Sequence, residues 1–149
     1  MSYTDDVGKK MNELLEKNID AKKGFLNASE NVESTNLKTY FKSKATERDV
    51  YVDELKREII SFGQKPEKSG SFTGDAHRAW MDIKSTLSMN DEEAILEEVQ
   101  RGEKASLEDY DKILKETSFP RSTEAMLLRQ RNAIKNSVNN AKRYESIVS

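Results

Sequence analysis

The chain has 149 residues, 25 basic against 27 acidic side chains, no cysteine, and equal shares of 35% for hydrophobic and charged residues. That length suits one domain with its own core. The lack of cysteine excludes a disulfide framework, a thiolate metal site and a redox thiol, and the charge balance offers no summed positive field for nucleic acid. A reducing, cytoplasmic setting is the expectation. No apolar run reaches the ~20 residues of a membrane span, and the acidic start, Ser2 to Asp6, lacks the pattern of a secretory signal. Few Gly and Pro residues with many Glu, Lys and Asn is the composition of a helical bundle, narrow apolar stripes between wet faces.

A first helix is predicted from Thr4 to Val32, because Val7, Met11, Leu14, Asn18, Ala21, Phe25, Ala28 and Val32 recur in steps of three and four. Only Asn18 interrupts this stripe, and a seam Asn is read as setting helix register. Leu15, Lys22 and Leu26 are expected to widen the buried face. A second helix begins at Ser34-Thr35, whose hydroxyls can cap it, and runs to Phe62, with Gly63 as its stop. Its stripe of Leu37, Phe41, Lys44, Arg48, Tyr51, Leu55, Ile59 and Phe62 turns two cations inward.

Between Gly63 and Asn90 comes a polar loop and then a short amphipathic helix over about Gly74 to Ser88, with Ala76, Trp80, Ile83 and Leu87 on one side. This is far more chain than a hairpin needs and suits the long crossover of ferritin-like folds. A third helix starts with Asn90 as cap and Glu93 completing a capping-box-like pair. Ile95, Val99, Glu103, Ser106, Tyr110 and Ile113 face inward from it. The fourth follows the Phe119-Pro120 break, capped by Ser122 or Thr123, with Leu127, Arg131, Ile134, Val138, Ala141 and Val148 inward. The expected fold is all-α, an up-down-up-down-like antiparallel four-helix bundle whose long crossover, between helices two and three, contains a short helix.

Arg48 and Glu103 lie near the middle of their stripes. An isolated buried charge costs several kcal/mol (about 3–5 when a partner is removed), so the two are expected to pair. The polar cluster His77-Arg78-Ala79-Trp80 is read as docking the crossover, with Trp80 as anchor. Gly24 and Gly102 fall inside predicted helices at a cost of about 1 kcal/mol each relative to Ala, which implies close approach of a neighbour. Asp20 and Gly24 share the outer side of helix one, where Asp20 is expected to meet His77 or Arg78.

A dinuclear carboxylate site in such a bundle uses a Glu-x-x-His turn on each of two helices. This chain has one histidine, His77, outside the four long helices. Val50 and Ala133 stand where Glu47 and Gln130 would need an imidazole three residues on. The alternative is a degenerate oxygen site for iron or another divalent metal at Glu47, Glu98 and Glu103, with Glu58 and Gln130 also flanking the core. No phosphate-binding glycine loop, nucleophile elbow or Ser-His-Asp set occurs. No catalytic residue and no cofactor is therefore assigned.

Asn12-Glu13-Leu14-Leu15 with Asp20 to Phe25, Glu47-Arg48 leading to Glu54-Leu55, Gly70-Ser71 with His77-Arg78-Ala79-Trp80, and Ala94-Ile95-Leu96 with Arg101-Gly102-Glu103 together resemble a bacterial ferritin-like family of unknown function. Some of its members are stress-associated. The resemblance implies a four-helix bundle and carries over no catalytic residue. Ala21 stands where that family tends to have Gly, and Lys22 where an acid is common, which further weakens a metal site. The reading is a non-enzymatic structural or protein-interaction module, self-associating and stress-related, with an unidentified protein partner.

Overall fold

Helix starts are set by oxygens that take up the free backbone N–H groups of the first turn. The structure, a computed structural model, describes residues 2–67 and 91–148, with side chains to residue 143. Four helices make up the described chain, α1 (Tyr3–Asn31), α2 (Thr35–Ser61), α3 (Glu92–Glu116) and α4 (Arg121–Val148), with no strand among the described residues. Ser2 and Asp5 form a reciprocal capping box on α1, and Ser34 caps α2 by accepting from the Leu37 N–H.

Two expected caps are corrected. Asp91, not Asn90, caps α3, accepting from the Ala94 N–H at 3.2 Å; its carboxylate also suits the positive end of the helix dipole. At α4 the helix begins as soon as Pro120 is passed, the Glu124 N–H reaching the Pro120 carbonyl at 2.9 Å. Ser122 and Thr123 are thus already inside the first turn, and Thr123 spends its hydroxyl on Glu58 of α2 at 2.6 Å. The end of α2 is as expected: Gly63 takes φ +74°, and its N–H and that of Gln64 return to the carbonyls of Ile60 and Ile59, a Schellman stop.

The direction of each helix follows from its cross-helix bonds. Lys10 meets Glu116, Lys17 meets Asp109, and Ser34 meets Glu92, so α1 and α3 are antiparallel. Asp5 with Gln64 and Asn18 with Arg48 make α1 and α2 antiparallel as well, hence α2 and α3 are parallel. Thr123 with Glu58 and Arg129 with Glu54 set α4 antiparallel to α2. The topology is up-down-down-up, which corrects the up-down-up-down-like expectation. The connection from α2 to α3 accordingly starts at one end of the bundle and finishes at the other, its first residues held where Asn12 brackets the Lys65 carbonyl and the Glu67 N–H. The short crossover helix expected at Gly74 to Ser88 lies outside the described residues.

The apolar core forms two clusters. One gathers Val7, Met11, Leu14, Leu15, Leu55, Ile59, Ile113, Leu127 and Ile134, the other Ala21, Phe25, Leu37, Phe41, Ile95, Leu96 and Val99. Burial corrects several stripe positions. Gln130, fully buried, takes the inward place expected for Arg131, which turns outward to Asp111 at 2.7 Å. Leu26 is 39% exposed and Lys22 reaches out to Asp49, so neither widens the core. Lys44 sits at the edge, paired with Glu47 and over the Tyr40 ring. No described helix is long and apolar enough to cross a membrane.

Gly24 and Gly102 are both buried, and a further close approach falls at Gly8. A Cβ there would lie 2.9 Å from Gln64 Cβ and nearer still to its Cγ, so the stop of α2 rests against bare α1 backbone. Gly8→Ala is expected to lower stability by about 1 kcal/mol net, overpacking of about 1–3 kcal/mol outweighing the gain in helix propensity. In a Gln64→Gly background the same change should stabilise. Urea unfolding of the four proteins in this cycle measures both effects.

Candidate functional site

The two apolar clusters are divided by a polar layer, and the helix stripes explain it. Asn18, Arg48 and Glu103 occupy inward positions on α1, α2 and α3, and each is 2% exposed or less. Because α2 and α3 are both antiparallel to α1 and stand across the bundle from each other, Arg48 must cross the centre to meet Glu103. Its guanidinium does so with one terminal nitrogen, while the other donates to Asn18 Oδ1 at 2.7 Å. Two acceptors on different helices are thus served by one planar fork, which a lysine ammonium does not reproduce.

The acceptors are themselves held. Asn18 Nδ2 donates to the Leu14 carbonyl and to the Tyr110 hydroxyl, both at 2.8 Å. Tyr110 donates to Gln130 Oε1 at 2.7 Å, and Gln130 Nε2 to Glu54 Oε1 at 3.1 Å. Glu54 is ion-paired with Arg129 at the surface. The bonds pass from α2 to α1, α3, α4 and back to α2, with Arg48 to Glu103 as the diagonal. Every helix contributes, and the chain of polar groups leads from the dry centre to the α2/α4 seam.

Electrostatics follow the burial. Desolvation opposes the charge on Arg48, but Glu103, with Tyr110 and Tyr51, outweighs it and holds its pKa above the ordinary value. Burial pushes the Tyr110 phenol up to about 12 against the pull of Arg48 and Asn18, and Tyr40 up to about 12 with help from the Glu103 charge. Tyr51 is raised further still, by burial and then by Glu47, to which it donates at 2.8 Å.

The structure brings Arg48 and Glu103 together and leaves the candidate metal ligands apart. Glu47 is taken up by Tyr51 and Lys44, Glu98 by Arg101 at 2.6 Å, and Glu103 by Arg48. Among the described residues no three His, Cys, Asp or Glu side chains converge as a metal group would require. A guanidinium stands beside Glu103, where it would repel a divalent ion, so the described residues around Glu103 do not fit a dinuclear carboxylate centre. Asp20 is buried, at 7% exposure, although it lies on the side of α1 turned away from Asn18. The docking cluster His77, Arg78 and Trp80 that it was expected to meet lies outside the described residues.

Glu54 is a member of the circuit that the sequence did not single out, and Gln130, expected only to flank the core, lies inside it. A step of three from Leu127 reaches Gln130 and a step of four reaches Arg131; both fit a helix stripe. The available signal was chemical: a neutral amide is cheaper to bury than a second unpaired guanidinium.

Removing either member of the diagonal strands the other charge. Arg48→Met and Glu103→Leu are each expected to lose about 3–5 kcal/mol, and the double substitution much less, as read by chemical unfolding. A second expectation concerns alkali. Tyrosines of the unfolded chain ionise near 10, whereas Tyr40 and Tyr110 stay protonated to about 12 in the folded one. Their contribution is whole below pH about 10 and lost as pH rises toward about 12. Thermal melts across that window should fall in midpoint as pH rises while tyrosinate absorbance grows, and a flat profile would contradict the buried placement.

A family model described as "Domain of unknown function (DUF2383)" matches residues 6–116, well over half of the chain. Comparison with curated proteins gives no match. The matched stretch includes Asn18, Arg48, Glu54, Glu103 and Tyr110 and stops before α4, which supplies Gln130 and Arg129. With α1 to α3 and the Arg48–Glu103 diagonal inside the matched region, this chain belongs to the DUF2383 family, a domain of unknown function.

Proposed function

We propose that this protein is a ferritin-like bundle that works as a non-enzymatic structural or protein-interaction module, self-associating and tied to a stress response. The observation that carries the reading is the Arg48 guanidinium at the bundle's centre, bonded to Asn18 and Glu103. A ferritin-like enzyme gathers carboxylates and imidazoles around metal at such a place. Here a charge of the chain's own neutralises the central carboxylate, so the interior is committed to holding the helices. The end-to-end connection between parallel α2 and α3 supports the ferritin-like topology. A biological role then rests on a surface, through a dimer or higher oligomer or through another protein. The stress association and a bacterial setting rest on the family resemblance alone, and a cytoplasmic setting on the lack of cysteine.

The test is to add ferrous iron to chelator-treated, metal-free protein in air. Oxygen uptake, bound iron, thermal midpoint and mass by light scattering are followed together. The expected outcome is no oxygen use above the buffer, no iron-dependent rise in midpoint, and a mass above that of the monomer. Turnover with about two irons per chain, the loading of a di-iron site, would replace the proposal with an oxidase-like relative whose ligands include Glu47, Glu98 or Glu103.

A further inference from the structure

We infer that the polar layer of this bundle is a recognition site for one guanidinium ion, filled in the intact protein by the chain's own Arg48. The inference goes beyond the structural role proposed above, because it assigns the layer a ligand class. Two acceptors define the site. Asn18 Oδ1 on α1 meets one terminal nitrogen of Arg48 at 2.7 Å, and Glu103 on α3 meets the other. Both are all but fully buried, so each bond acts where water does not compete.

The acceptors are also set in advance of the cation. Asn18 commits both of its amide hydrogens, to the Leu14 carbonyl and the Tyr110 hydroxyl, which leaves Oδ1 pointing to the centre. Tyr110 is in turn fixed by its bond to Gln130. The oxygen presented to the cation is therefore held by α1, α3 and α4, and none of those bonds depends on Arg48. A small guanidinium ion would find the same two oxygens if the side chain were shortened. A bare divalent metal would not, since hard cations take six or more oxygens and the layer offers the ion one carboxylate and one amide.

Arg48→Ala is the probe, with methylguanidinium as the added ion. At millimolar concentration, far below the molar range in which guanidinium denatures, it should raise the thermal midpoint of the variant by about 3–6 °C when present at roughly ten times its dissociation constant. Tetramethylammonium at equal ionic strength should not, and neither ion should shift the intact protein. Arg48→Ala combined with Glu103→Gln should lose the response. If Arg48→Ala does not fold alone, the readout becomes recovery of helical circular dichroism on refolding with methylguanidinium. No response in either form, an equal response to tetramethylammonium, or an equal response in the double variant would each overturn the inference. So would a rise produced by Mn2+ and not by methylguanidinium, which would also count against the structural reading, whereas a plain lack of response leaves that reading standing.

Discussion

The bundle is organised around a buried charge that has one place to go. Arg48 leaves α2 in a dry interior, where an unmatched guanidinium is costly. Glu103 and Asn18 answer it from two other helices. Apolar packing tolerates small slides of one helix along another. A planar fork bonded to two fixed oxygens does not, so the layer sets the axial register of α1, α2 and α3 together. Tyr110 and Gln130 extend that constraint to α4. The two apolar clusters pack on either side of that layer. Stability comes chiefly from those clusters; the layer supplies specificity and strongly penalises the loss of any one member.

Topology follows from the same bonds. With α2 and α3 parallel and opposed across the centre, the diagonal falls to the side chain long enough to span it. The antiparallel neighbours handle their seams with shorter or more exposed pairs, such as Lys17 with Asp109 and Arg131 with Asp111. Pairs in contact with solvent in this way are each worth about 1 kcal/mol or less. The family match ends at residue 116, so α4 closes a circuit whose other members lie in the matched region.

An interior of this kind bears on function through what it leaves over. Three tyrosines near the layer are held protonated by burial, and the central carboxylate is neutralised by an internal cation. Glu103 accepts from Arg48 through its Oε1.

The sequence by itself determined the four long helices, their approximate ends and most of their buried positions, because the three-and-four spacing of apolar residues and the capping chemistry of Ser34 and Gly63 act locally. The α1 stripe from Val7 to Val32 is buried throughout. It also singled out Arg48 and Glu103, since a charge inside an apolar stripe demands a partner wherever the helices lie. Helix direction was decided only in three dimensions. Long connections permit either sense, and the parallel run of α2 and α3 is fixed by contacts far apart in the chain, such as Ser34 with Glu92. The choice of Gln130 over Arg131 and the need for Gly8 beneath Gln64 belong to the tertiary structure for the same reason. Each depends on what another helix, or its end, places opposite, and the spacing within one helix carries no record of that.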